Sequence, residues 1–331
     1  MAFISWQRWA DITIDFGVEL YIPWQLVKGK ILYRDIWQLY GPFSQYFNSL
    51  IFRICGVHLM SIALFNIILI VVIGYILYRV FLELSNKFTA AAIVVFFISV
   101  FAFPQYVGIA NYNYVCPYSH ELTHGVLLSF ISIFIFISYL KTRSTILLFI
   151  IGILTGLVLL TKAEVFFANF SAIAVGLSCS MIINRTQIKE IIKITIIFSL
   201  WLILPTFFFL IYFSRYMSPF LALSKMMLQY NILSEKTMTS QKFLMWVLGL
   251  DNPAYNLKML LIAVSVYVII FILYGVLSFL PSRVKTQNYK KTTMILIITA
   301  LVMLAPLIIK NIPWLEMGRP LPIMAFVLII Y

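Results

Sequence analysis

Asp11, Asp15 and Glu19 recur every four residues, a spacing that lines three carboxylates along one face of a helix. Carboxylates held that close repel one another, which raises at least one pKa unless a cation intervenes. A general base or a pair of metal ligands would use such a set, and a solvated helix face is the plainer alternative. Asp35 joins them, so residues 11–42 hold four of the chain's eleven acidic residues. Aromatic residues crowd the same stretch, with Trp24, Tyr33, Trp37 and Tyr40 among them. That density suits a substrate site and equally an interfacial belt. Pro23, Gly29, Gly41 and Pro42 break the stretch too often for a membrane helix.

Three further places carry charge. His120 and His124 flank Glu121 at i,i+4, a spacing that can bind a metal. No third ligand is in view, so a polar helix start capped by Ser119 is the preferred reading. Thr161-Lys162-Ala163-Glu164 interrupts a long apolar run and reads as a turn between short helices. There Lys162 and Glu164 either satisfy each other or offer a cation to an anionic substrate. Arg319 is either a surface anchor or a second such cation. His58 reads as interfacial. The loop 215–256 mixes aromatics with amides, including Gln229, Tyr230 and Asn231, a weak signal for sugar or acceptor binding.

The elements that must position these groups are membrane helices. The chain is 63% hydrophobic and 11% charged, with a mean hydropathy of +1.02. A soluble domain keeps roughly a quarter of its residues charged, so the fold class is an all-α polytopic membrane protein. A net charge of +13, scattered between apolar runs, fits anionic headgroups and not nucleic acid. Cys55, Cys116 and Cys179 show neither metal nor disulfide spacing and read as packing residues.

A span needs ~20 apolar residues. That rule places spans near 60–82, 88–104, 122–140, 145–162, 164–183, 194–214, 257–280 and 294–310, with a ninth beginning near 320. Phe43–Val57 reads as an amphipathic interfacial helix. The division is then residues 1–58, an extracytoplasmic first loop with its interfacial helix, and 59–331, a membrane body. Body loops near 105–121, 215–256 and 311–320 join the first loop on one side. The opposite short loops carry eleven basic residues against Glu83 and Glu190, which marks that side as cytoplasmic. The remaining nine acids lie on the extracytoplasmic face. Both ends read as cut, with an N-terminal helix expected before Met1 and more chain after Tyr331.

Asp15-Phe-Gly-x-Glu19-Leu-Tyr-x-Pro-Trp, Gly29-Lys-Ile-Leu-Tyr33-Arg34-Asp35 and Tyr40-Gly41-Pro42-x-x-x-Tyr46-x-Asn48 resemble the first extracytoplasmic loop of bacterial GT-C glycosyltransferases. These are polyprenyl-phosphate-sugar enzymes related to protein O-mannosyltransferases and the lipid A aminoarabinose transferase. Asn113–Gly125, Leu160–Glu164 and Gly318–Pro322 extend the similarity over most of the chain. The resemblance implies a GT-C-like bundle of about eight or nine spans in the bacterial cytoplasmic membrane, with its site extracytoplasmic. It implies transfer of a hexosyl or pentosyl group from a polyprenyl-phosphate donor to a glycan, lipid or protein acceptor. Asp15 takes the base role by its place in the motif, with Glu19 and Asp35 as alternates. Lys162 and Arg319, with Arg34 in reserve, are expected on the donor phosphate. Tyr33, Tyr40, His120, Glu121 and Glu164 are expected around the substrates. No organic cofactor is implied, and dependence on a divalent cation is left open. A transporter or lipid flippase is the rival, and a truncated, non-catalytic remnant a third reading.

Overall fold

Long apolar runs with few internal charges become helices in this protein. The computed structural model describes residues 15–103, 113–230 and 251–259, together with Met245 and Leu261. Helix takes up 79% of these residues, and strand pairing among them is limited to the bridge Leu32–Ile36. Asp11, Arg319, the loop 311–320 and the expected spans near 294–310 and 320 lie outside the described residues, as does most of 257–280.

The chain divides into two units. Described residues 15–84, 97–103 and 113–230 form the first. The second takes 85–96, Met245, 251–259 and Leu261.

Within the first unit, α1 (Phe16–Val27) is the first helix of the described residues. It stops at Gly29, whose φ of +88° is the left-handed conformation that glycine adopts without strain. The Gly29 and Lys30 N–H groups then return to the Leu26 and Gln25 carbonyls, closing the helix end. The helix α2 (Phe43–Cys55) matches the amphipathic stretch read from the sequence. Then come α3 (Leu59–Leu84) and, in the second unit, α4 (Lys87–Phe96), which Asn86 caps by accepting from the Thr89 N–H (2.9 Å). A π-helical segment, Phe97–Ala102, returns to the first unit, and α5 (His120–Thr142), α6 (Thr145–Leu159), α7 (Ala163–Ile183), α8 (Ile188–Ser214) and α9 (Pro219–Met226) complete it.

Among the described residues, four helices, α3, α5, α7 and α8, are long and apolar enough to cross a membrane, at 26, 23, 21 and 27 residues. Two expected spans come out short. The segment 88–104 is α4 followed in sequence by the π-helical segment, and α6 is 15 residues because the chain turns at Leu160. The cysteines also differ from expectation, since only Cys116 is buried while Cys55 and Cys179 are exposed.

Packing of α6 depends on small residues. Gly152 and Gly156 face α8 so closely that a Cβ on Gly152 would meet the Trp201 Cβ at 2.8 Å, and one on Gly156 would overlap the Leu202 carbonyl. A second core joins the other end of the bundle, where Ile22 and Leu26 of α1 pack with Leu160, Phe213 of α8 and Met226 of α9. Gly156→Ala forces α6 from α8, and overpacking of this kind costs roughly 1–3 kcal/mol. Its melting temperature in detergent is expected below wild type, and an unchanged value would mean that the helices separate freely.

Candidate functional site

The cluster is built where α1, α2, α3 and α5 meet. Glu19 lies one turn into α1 with 4% exposure, and Glu121 lies in the first turn of α5 with none. Burying a carboxylate is costly unless donors replace its water. Glu19 Oε2 accepts from the His120 backbone N–H (3.1 Å), from His120 Nδ1 (2.8 Å) and from Gln45 Nε2 (3.3 Å). Glu121 accepts from Gln45 Nε2 and Gln38 Nε2 at 2.9 Å each, and from Ser119 Oγ at 2.8 Å. The Gln45 amide therefore spans both carboxylates. Asn66 of α3 donates to the Val115 carbonyl (2.9 Å) and lies 3.0 Å from His120 Nε2. A neutral imidazole with its proton on Nδ1 satisfies both ring contacts. His124 packs edge-on against Phe47 at 5.2 Å, and neither of its ring nitrogens has a partner among the described residues.

Ser119 precedes α5 as expected, but its hydroxyl serves the Glu121 carboxylate and caps no backbone N–H. Burial pushes the Glu19 carboxyl up to about 7 against the donors from His120 and Gln45, and the neighbouring Asp15 charge adds to the rise. Asp15 itself is the exposed residue just before α1 and makes no capping hydrogen bond.

A second arrangement fixes Lys162. The Gly41 N–H donates to the Thr161 carbonyl (3.1 Å) and the Phe43 N–H to the Leu160 carbonyl (3.2 Å). A side chain at Gly41 would overlap the Leu160 backbone, so only glycine allows this approach. Gln229 clamps the turn from the other side, with Oε1 accepting from the Ala163 N–H and Nε2 donating to the Thr161 carbonyl, both at 3.0 Å. Its amide is turned to the backbone of this turn.

The buried Lys162 ammonium donates to Tyr118 Oη (3.0 Å) and lies 5.2 Å from the Tyr40 ring centre. Burial works against its charge, but Tyr40 and the Tyr118 hydrogen bond outweigh that and raise its pKa. Glu164 is exposed, 4.0 Å away. The loop joins the two arrangements, since Gln38 donates to Glu121 and Tyr40, two residues on, lies beside Lys162. Tyr33 braces it by donating to the Tyr40 carbonyl (2.8 Å) from a left-handed backbone at φ 67°.

Of the residues expected from the sequence, Glu19, Tyr33, Tyr40, His120, Glu121, Lys162 and Glu164 fall into these two arrangements, while Asp15 stands exposed one turn before Glu19. Arg34 and Asp35 pair with each other instead, at 2.8 Å. The Arg34 hydrogen bond, with the Ile31 N–H, holds the Asp35 carboxyl down at about 2. Gln38, Gln45, Asn66 and Tyr118 carry the networks without having been singled out as ligands. Asn66 had a signal, as an amide within an apolar run long enough to span. Among the described residues, no three His, Cys, Asp or Glu side chains are grouped to hold a metal. Searches of family models, curated proteins and solved structures find no match to this chain.

The raised Glu19 pKa gives a stability prediction. The folded chain holds the Glu19 proton more tightly than the unfolded one, so stability falls as pH rises from 4.5 towards 7. The full cost, on the order of 3 kcal/mol, is present above that window and absent below it. Glu19→Gln is expected to gain melting temperature over wild type at about pH 8 by more than at about pH 5. An equal difference at both values would show that burying the charge costs nothing.

Proposed function

We propose that the protein is a membrane glycosyltransferase that moves a sugar from a polyprenyl-phosphate donor to an acceptor nucleophile on the extracytoplasmic face. One observation carries this reading. Three separated blocks on which the resemblance rests converge in space, with Glu19 2.8 Å from His120 and Gly41 3.1 Å from Thr161. Blocks kept only as interfacial belts would have no reason to meet.

In this reading Asp15, exposed at the start of α1, takes the acceptor's proton as the nucleophile attacks the anomeric carbon and the lipid phosphate leaves. Glu19, one turn on, is held too firmly by His120 and Gln45 to serve the acceptor, and it orients α1. Lys162 neutralises the departing phosphate. Asp35, acidic and paired with Arg34, suits a brace better than a base. An apolar groove of about 440 Å³, lined by Tyr46, Leu50, Phe208, Phe209 and Tyr212 with Arg53 at its side, suits a prenyl chain. The acceptor class, whether glycan, lipid or protein, is open.

Transport is the second reading, favoured by the burial of His120 and Glu121 at the start of an apolar helix long enough to span. It predicts uptake of a solute without product chemistry.

The deciding measurement is sugar transfer from polyprenyl-phosphate donors at matched membrane expression. Asp15→Asn is expected to lower turnover by about 10²–10⁴, Glu19→Gln by less, and Lys162→Gln to raise the donor KM. Near-normal turnover in Asp15→Asn would remove it as the base, and solute uptake with no transfer by wild type would favour transport.

A further inference from the structure

The α5–α6 and α7–α8 turns lie at the end of the bundle remote from Glu19, because α5 and α7 begin at the Glu19 and Lys162 arrangements and run away from them. Between these turns is a cleft of about 520 Å³. Arg143, Arg185 and Lys193 line it, with Glu190 as the acid on its wall. Among the described residues, none of the three cations has a carboxylate within 4.0 Å. Arg143 and Arg185 both stand at left-handed turn positions, at φ 54° and 48°. The Arg143 guanidinium also lies 5.8 Å from the Tyr139 ring centre, in the same cleft.

Two further features fit an anion. The N-terminal ends of α6 and α8 open here, and their preceding residues, Ser144 and Gln187, make no side-chain cap. First-turn N–H groups of long helices attract anions. The remainder of the lining is apolar, with Leu148, Ile194 and Ile197. Beside the lining in sequence, Ile146, Ile183 and Ile188 are 66%, 79% and 74% exposed, an apolar skin at the helix ends around the cleft.

We infer that this cleft binds the phosphate-bearing headgroup of an anionic membrane lipid, whose acyl chains run over the exposed isoleucines. A free phosphate would use the cations and helix ends but has no need of the apolar lining and skin. Basic pockets between spans recognise lipid headgroups by this combination. The inference is independent of the glycosyl-transfer reading, since it concerns the opposite end of the bundle.

The test is native mass spectrometry of the full chain released from phosphatidylcholine nanodiscs doped with phosphatidylglycerol. Wild type is expected to retain phosphatidylglycerol in preference to phosphatidylcholine. Combining Arg143→Asn, Arg185→Asn and Lys193→Gln keeps residues that tolerate the left-handed backbone. At roughly fivefold per cation, the triple variant is expected to lose on the order of a hundredfold in affinity. Lys193→Gln alone, within the regular part of α8, is expected to lose about fivefold, which keeps the test sound if the triple variant misfolds. Lys141→Gln, whose lysine is paired to Glu83, serves as the charge control and is expected to retain the lipid. Unchanged affinity in Lys193→Gln, or an equal loss in the control, overturns the site. Displacement of the lipid by millimolar inorganic phosphate overturns its assignment to a lipid headgroup.

Discussion

Two carboxylates buried within reach of one glutamine amide set the terms for the rest of this bundle. Glu19 and Glu121 come from helices about a hundred residues apart, and neither keeps appreciable contact with solvent. Their donors come from α1's neighbours: Gln45 on α2, His120 with Ser119 at the start of α5, and Gln38 in the loop between. Asn66 on α3 in turn holds the far side of the imidazole. A half-satisfied network of this kind costs more than an apolar core. Moving α1 away would strand His120, Gln45 and a carboxylate together. That explains why a 12-residue helix with Pro23 inside it stays seated on the bundle.

The loop that follows α1 converts this anchorage into a second one. From Gln38, which holds Glu121, the chain needs only a few residues to reach Gly41, which is hydrogen-bonded to the α6–α7 turn. The same turn presents Lys162 beside Tyr118 and Tyr40. Fixed carboxylates and a fixed ammonium are thus set by one continuous run of backbone. Preorganised charge of this sort stabilises a developing charge without reorganising during reaction.

Much of this was legible in the sequence, and the failures have physical causes. Hydropathy located α3, α5, α7 and α8 because a span needs length and apolarity alone. It ran past the end of α6 because Leu160 and Thr161 are compatible with either a helix or a turn. The charges of Lys162 and Glu164 marked the turn, but its start at Leu160 is set by tertiary hydrogen bonds from Gly41, Phe43 and Gln229. Residue type pointed to Glu19, His120, Glu121 and Lys162. It could not tell that Arg34 and Asp35 neutralise each other, or that the amides of Gln38, Gln45 and Gln229 are committed to particular partners. An amide gives no sign in sequence of whom it serves.

Asp15 and Glu19 share one face of α1, yet their surroundings divide them. Three donors converge on a single oxygen of Glu19, and burial still lifts its pKa to about 7. Near neutral pH this carboxyl therefore exists in both charge states. In the proposed reaction a base must lie where the acceptor can reach it. The exposure of Asp15 meets that condition, and the burial of Glu19 does not. The buried member of the pair holds α1 to the bundle, and the exposed member is the one the proposed reaction would use.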